Sequence, residues 1–521
     1  MFEGARDSEV SQYTEELGKL KLLSARLERY EDRVEGELQR AKSIFAPIRT
    51  LPPEILTIIF QLYVDEAGGN IIAPGQPPSI PANELGMVCA YWRFLTLATP
   101  VLWSSIEVGV SHDATPYDTT LLDFILSRSS NNSLSISITH FRTLIPQDTS
   151  NSLLPKLIPT CPRWSILRLE VDVTFPSSTQ FQQIKGQLHK LRALEVVVGN
   201  WPLDSPDNTL DVFATAPKLT VAAFDCAGNH IRPLPWAQLE SITVGLWMDC
   251  IDSSFTQLAE TRNVQLNFFQ CHKSSSAWTS FPVVQWKCRN LTLDFTISNE
   301  STGIPPYQIS FEALFLWIEC PALDTLTIRE CTNGEERAPI LNIKHLRTFL
   351  SVSTSLRVLR IDGMSFETPS ALHELFPSTA NLEELALLEG QRATCLSCTG
   401  RDLDGQTLCA HRWYADAAVL RALIPPVNDT SLSTSQPLLL PRLKRLKLRI
   451  CRKQCEIDAL VDIIQSRWLV EEVKGIDQLE FVRIQFPKLV LPVDTVASAR
   501  LRKLKGRGMG IAVYDQEGRV L

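Results

Sequence analysis

Leu356-Arg-Val-Leu-Arg-Ile361 decides the reading of this chain, because its spacing of three apolar residues returns along most of the sequence. Leu382, Leu385 and Leu387 repeat it, and Leu443, Leu446 and Leu448 repeat it again. Working backward, the sets are Leu323/Leu326/Ile328, Cys288/Leu291/Leu293, Thr261/Val264/Leu266, Leu239/Ile242/Val244, Leu219/Ala222/Phe224, Leu191/Leu194/Val196 and Trp164/Leu167/Leu169. The last two positions of each set stand two apart, which places both side chains on one face of a strand. Nine steps of 27, 28, 20, 22, 27, 35, 33, 26 and 61 residues join the ten sets.

Most of those steps fall in or near the roughly 20–29 residue period of leucine-rich repeats, which the pattern resembles. Several units share a proline just before the strand, as in Cys161-Pro162, Ala216-Pro217, Cys320-Pro321 and Leu440-Pro441. Proline there blocks helix continuation and hands the chain to an extended segment. The Asn or Cys position of the repeat is inconsistent, so the units are degenerate. Tight units lack room for a full helix, whereas longer ones, such as that holding Phe311 to Glu319, have helical patterning. The expected fold class is therefore α/β, with an N-terminal helix and a small all-α module before a leucine-rich-repeat solenoid, or horseshoe, of parallel strands. The rival is an ordinary α/β domain with leucine-rich strands.

Ahead of the repeats stands Leu51-Pro-Pro-Glu-Ile-Leu-Thr-Ile-Ile-Phe60. Pro52 and Pro53 fit a helix start, where an N–H would be orphaned anyway. Glu54 then sits where the helix dipole favours negative charge. Ile55, Ile59 and Leu62 form one stripe at helical spacing, and Leu56, Phe60 and Tyr63 form another beside it. A helix apolar over so much of its circumference must be buried on more than one side. The segment from Ile44 to Trp103 is short for a core that uses both, so the surplus face is a candidate partner surface. Farther on, Val88, Trp92 and Leu95 recur at i, i+4 and i+7, Cys89 adds width, and Pro100 stops the helix. Burying a tryptophan such as Trp92 or Trp103 is worth roughly 1.5–3 kcal/mol, whether it fills the module's own core or anchors a partner.

Leu51-Pro52-x-Glu54-Ile55-Leu56 with Ile59-Phe60, then Val88-Cys89-x-x-Trp92-x-x-Leu95 and Leu102-Trp103, resembles an F-box. More narrowly, it resembles the F-box-like proteins of mushroom-forming fungi. Those begin with a charged helix, continue with a Pro-Ile-Arg-x-Leu-Pro-Pro-Glu-Ile-Leu run and end in a long variable repeat region. Ala46-Pro47-Ile48-Arg49 and the chain after Trp103 fit that description. One departure is the stretch from Asp65 to Asn83, rich in Gly, Pro, Ser and Asn, which reads as an inserted loop. The expected domains are an N-terminal amphipathic helix over 1–45, an F-box-like domain over 46–108 with that loop at about 65–83, and degenerate repeats over 109–521 with an insertion at about 390–438.

The resemblance implies a partner. It is the Skp-family adaptor of SCF-type cullin–RING ubiquitin ligases, met through Leu51, Pro52, Ile55, Leu56, Phe60, Val88, Cys89, Trp92, Leu95 and Trp103, and leading through it to a cullin. The repeats would hold an unidentified protein substrate for ubiquitin transfer, with the chemistry left to other subunits, so no catalytic residue and no enzyme activity is expected. The alternative is a leucine-rich-repeat scaffold outside any ligase, with the F-box-like helices buried against its own core as a cap.

Composition narrows the remaining classes. At 521 residues and 44% apolar, the chain can bury a large core and hold more than one domain or an extended repeat array. Its net charge of −7 is mixed along the chain, which does not suggest a nucleic-acid surface. The basic cluster from Arg442 to Lys453 alternates with leucines, as an exposed strand face would. No stretch approaches the roughly 18–20 apolar residues of a membrane span. The first residues include Glu3, Asp7 and Glu9 and no apolar signal core. The thirteen scattered cysteines are no disulfide framework. A cytoplasmic and/or nuclear location, with no nucleic-acid or membrane partner, is the expectation.

Residues 8 to 43 are charged and free of proline. Tyr13, Leu20, Leu27, Val34 and Ala41 sit seven apart, with Leu17 and Leu38 at the companion position and Ser24 and Glu31 breaking that row. The reading is a single amphipathic helix lying on the rest of the chain, a dimeric coiled coil needing at least three or four clean heptads. One constellation has metal-ligand types: Cys395-Leu-Ser-Cys398 followed by Cys409-Ala-His411, which could hold a structural zinc ion as a Cys₃His set. The second pair is unusually spaced, and a plain insertion is the expectation, with no cofactor. Cys451 and Cys455 read as structural. Gly506-Arg-Gly-Met-Gly510 lacks the Gly-Lys-Ser/Thr of a phosphate loop and reads as a turn.

Overall fold

A computed structural model describes residues 3–44, 46–110, 114–140, 153–171, 175, 178–198, 211–225, 234–247, 254–269, 283–296, 311–330, 340–341, 343–366, 369–390, 417–425, 439–450, 457–469, 476–487, 496–515 and 518. They form a mixed α/β structure with a long N-terminal helix and a large parallel sheet. The chain divides into two compact units. One holds the chain up to Ile71, Pro78–Ser105 and Phe124–Asn132; the other holds Ile72–Pro77, Ile106–Asp123 and the chain from Ser133 onward.

In the first unit, α1 spans Glu3–Ile44. Its side chains are exposed at every position from 11 to 42. The expectation that its apolar row lies on the rest of the chain is therefore corrected: among the described residues nothing covers it. Next come α2 (Pro53–Glu66), α3 (Pro81–Val88), α4 (Ala90–Ala98) and a 3₁₀ turn at Pro100–Trp103.

Two sequence readings change here. The helix expected to run through Val88, Trp92 and Leu95 is broken at Cys89, whose backbone is extended at φ −161° and ψ 169°. Cys89 Sγ accepts the Trp92 N–H at 3.4 Å, capping α4. Val88 thus ends one helix, and Trp92 sits in the first turn of the next. The inserted loop is also shorter and more ordered than expected. Gly68 and Gly69 turn out of α2 at φ +82° and +89°. Asn70–Ile72 is a strand, Ile71 bridges Ser79 antiparallel, and α3 has begun by Pro81. Gly69 has two reasons to be glycine: its φ, and a close approach in which an added Cβ would stand 2.5 Å from Ser105 Oγ.

Among the described residues of the second unit, strands follow one another through one sheet in chain order, from Leu134–His140 to Gly510–Tyr514. Every neighbouring pair from Leu134–His140 to the last strand is parallel. The apolar sets read from the sequence fall into register. Leu326, Leu359, Leu385 and Leu446 stand side by side, and so do Ile328, Ile361, Leu387 and Leu448. All eight are at most 1% exposed, so each rung extends one buried layer. The ladder continues past the ten sets, through Leu479/Val482/Ile484 and Met509/Ile511/Val513.

Backbone bonds lock the lead-in to each strand as well. Arg357 N–H donates to Asp324 O, Glu383 N–H to Arg357 O, Lys444 N–H to Glu383 O and Glu480 N–H to Lys444 O. The strands Glu384–Leu388 and Arg445–Arg449 are immediate neighbours, and most of the insertion expected at about 390–438 lies outside the described residues. Described between those two strands is the helix Ala417–Ala422. Some returns between strands are 3₁₀ turns, such as Phe181–Ile184 and Asp211–Phe213, while the early return Pro116–Arg128 is an α-helix. Later returns have room for α-helices, Phe311–Trp317 and Ile343–Val352 among them.

Candidate partner-docking site

The site is built on α2. Leu56, Phe60 and Val64 recur every four residues and are at most 1% exposed, forming the face turned into the module. Ile55, Ile58, Ile59 and Leu62 recur at i, i+3, i+4 and i+7, and they are 44%, 56%, 37% and 63% exposed. An apolar stripe at that spacing is what a helix ordinarily buries, and here it faces water. α2 packs on α3 and α4 through its other side. There the Phe60 ring meets Trp92 at 4.7 Å between centroids.

The remaining expected residues separate by exposure. Pro52, Ile55 and Val88 are exposed, and Leu51, Cys89, Trp92 and Leu95 are half-buried. Leu56, Phe60 and Trp103 belong to the core. Trp103 is fixed there by its Nε1–H, which donates to Thr96 O at 2.9 Å, and by an edge-on contact with Phe124. The structure adds Ile58, Met87, Tyr91 and Phe94, all exposed, of which Met87 and Phe94 show the most surface. Phe94 stands two residues after Trp92, on the opposite side of the short α4, and only the helix break at Cys89 reveals which side is outward.

Polar contacts hold the module together. Tyr63 donates its phenol to Glu84 Oε2 at 2.9 Å, joining α2 to α3. The hydrogen bond to that carboxylate and its charge hold the Tyr63 phenol above its ordinary value. Asn70 is fully buried and donates through Nδ2 to Leu102 O and Ser105 O at 3.0 and 3.1 Å. Gly86 lets the backbone of α3 approach Thr96 on α4, where an added Cβ would meet Thr96 Oγ1 at 3.1 Å.

The second candidate surface is the face of the sheet that carries the charged residues. On Arg445–Arg449, Leu446 and Leu448 point inward while Arg445, Lys447 and Arg449 alternate with them, as the sequence reading expected. Glu384 is 3% exposed and gathers three cations. Arg360 and Lys447 reach its Oε1 at 2.9 Å each, and Arg445 reaches Oε2 at 3.2 Å. Burial alone would raise this carboxyl, but the hydrogen bonds and charges of Lys447 and Arg360 hold it below its ordinary value. Arg449 pairs with Asp362 and donates to Glu389 O. Arg483, on the next strand, lies 5.1 Å from the centre of the Tyr514 ring.

Cys395, Cys398, Cys409 and His411 lie outside the described residues, as do Cys451 and Cys455. Among the described residues no group of three His, Cys, Asp or Glu side chains is placed to hold a metal ion. Burial pushes the Cys161 thiol up to about 11 and the Cys288 thiol up to about 12, leaving both protonated near neutrality. No single described helix is long and apolar enough to cross a membrane. Set against models of known protein families and against curated proteins, the chain matches none.

Proposed function

We propose that this chain is the substrate-recruiting adaptor of an SCF-type cullin–RING ubiquitin ligase. In this reading α2, α3 and α4 are an F-box module that seats on a Skp-family adaptor and through it on a cullin. The parallel strands are a leucine-rich-repeat solenoid that binds the protein to be ubiquitinated. The chain itself performs no catalysis and works in the cytoplasm and/or nucleus.

The observation that supports this best is the second apolar stripe of α2. Ile55, Ile58, Ile59 and Leu62 hold helical spacing yet remain in water, although the same helix buries Leu56, Phe60 and Val64. Exposed contiguous apolar surface of this kind marks protein-interaction sites. The scaffold reading, in which these helices cap the repeat core, would have that stripe covered. The in-register rows of Leu326, Leu359 and Leu385 support the repeat part of the proposal, since stacked repeats each add one rung to a shared core. The test is direct binding of a purified Skp-family adaptor by the wild-type chain and by variants of the exposed stripe.

A further inference from the structure

α1 is a helix of 42 residues, about 63 Å long at 1.5 Å per residue. It is exposed on every side from residue 11 to 42. Isolated helices draw little stability from propensity in water, and most protein helices are held by packing an apolar face. Gly18 and Gly36 weaken this one further. Yet Leu20 and Leu27 are 62% and 69% exposed.

The heptad row at Tyr13, Leu20, Leu27, Val34 and Ala41 is interrupted in its companion row only at Ser24 and Glu31. Leu23 and Tyr30 stand one residue before each interruption, and they are 61% and 59% exposed. With them included, Tyr13 to Ala41 is crossed in eight steps of three or four residues, a mean of 3.5. That is the period of a left-handed coiled-coil seam, and it differs from the 3.6 of a helix laid singly on a globular core.

The charges beside the seam point to the occupant. Glu16 precedes Lys21 by five residues, Arg26 precedes Glu31 by five, and Glu37 precedes Lys42 by five. In a parallel, in-register pair, each residue on one flank of the seam faces the residue five places on in the other strand. All three pairings then join opposite charges, and two-fold symmetry doubles them. An antiparallel pair crossing near its middle would instead set Arg26 against Arg26 and Lys19 against Arg33.

We infer that α1 pairs with α1 of a second copy of this chain as a parallel, two-stranded coiled coil. The pairing does not depend on whether the α2 surface binds an adaptor.

Light scattering on the whole chain tests it. The expected mass is twice the 58.5 kDa of one chain. Leu27→Glu, at a solvent-facing position, should raise the dimer dissociation constant at least tenfold while leaving the unfolding transition of the rest unchanged. For orientation, Leu20→Cys under mild oxidation should give a reducible covalent dimer beyond the level of the wild-type chain, whereas Leu22→Cys, off the seam, should not. A wild-type chain that stays monomeric at micromolar concentration overturns the inference. So does a dimer that survives Leu27→Glu, or a Leu22→Cys chain that cross-links as readily as Leu20→Cys.

Discussion

The Phe60 and Trp92 rings stand 4.7 Å apart between centroids and are tilted by 59°. Phe60 is wholly buried while Trp92 is half-buried, so this contact is where the module's core meets its surface. Aromatic pairs in this arrangement add about 0.5–1.5 kcal/mol beyond the area they bury.

The first expectation separates the two stripes of α2. Phe60→Ala should cost about 3–5 kcal/mol of stability, the usual loss for a buried aromatic. Ile58→Ser, on the exposed stripe, should stay within about 0.5 kcal/mol of wild type. Urea titrations of both variants, followed by tryptophan fluorescence, check this. Equal losses would mean that the Ile58 face is buried after all.

Gly69 gives a second. Both Gly68→Ala and Gly69→Ala place a side chain at positive φ, at about 1–2 kcal/mol. Only at Gly69 does the new Cβ meet a neighbour, Ser105 Oγ; nothing lies within 4 Å of the one at Gly68. Gly69→Ala should therefore unfold at a lower temperature than Gly68→Ala. Indistinguishable melting temperatures would contradict the close approach.

Much of this fold was legible because strand registry follows from side-chain periodicity. Leu359 and Ile361 announce a strand, and the repetition of their spacing announces its neighbours. The last two rungs carry weaker signals. Ile511 follows directly on the glycine run 506–510, which reads as a turn, and Val482 and Ile484 follow a stretch without a proline lead-in. The helix break at Cys89 was hidden for a different reason: cysteine is not among the residue types that ordinarily cap helices. Two stripes on α2 could be read from spacing, but which one turns inward depends on Trp92 and Trp103 arriving from later in the chain. The side of α1 that carries apolar residues was likewise visible, but not that the described residues leave it bare.

Glu384 carries a pH expectation. Its carboxyl is held below its ordinary 4.5 by Lys447 and Arg360. A carboxyl depressed in the folded state stabilises the fold at pH above the ordinary value, and that contribution fades as pH falls through the folded one. The cations are partly exposed, so Glu384→Gln should cost about 1–2 kcal/mol at pH 7. The gap between wild type and variant should close toward pH 3. A gap that stayed constant from pH 7 to pH 3 would show that the loss is steric.

Arg467 supplies the fourth. It is fully buried and donates to the carbonyls of Leu423, Leu440 and Leu439 at 2.6, 2.8 and 2.6 Å. Burial pushes its pKa down to about 10, which leaves it a cation at neutral pH. One of those carbonyls belongs to Leu440, held at φ +50°. Arg467→Met should cost at least about 3 kcal/mol, since each carbonyl left unpaired costs about 1–3. Arg467→Lys should recover only part of that, a single ammonium being unable to copy the three-way fork. Chemical denaturation of the three proteins decides it.

The most direct test of the adaptor account is calorimetric titration of the 521-residue chain with a purified Skp-family adaptor. Leu62 and Phe94 are 63% and 69% exposed, so a Leu62→Ala, Phe94→Ala variant should keep the wild-type unfolding midpoint. The account predicts binding by the wild-type chain and a loss of at least about thirtyfold in the variant, as expected when apolar anchors at the centre of an interface are truncated. Failure of the wild-type chain to bind, or equal affinity in both proteins, would contradict it.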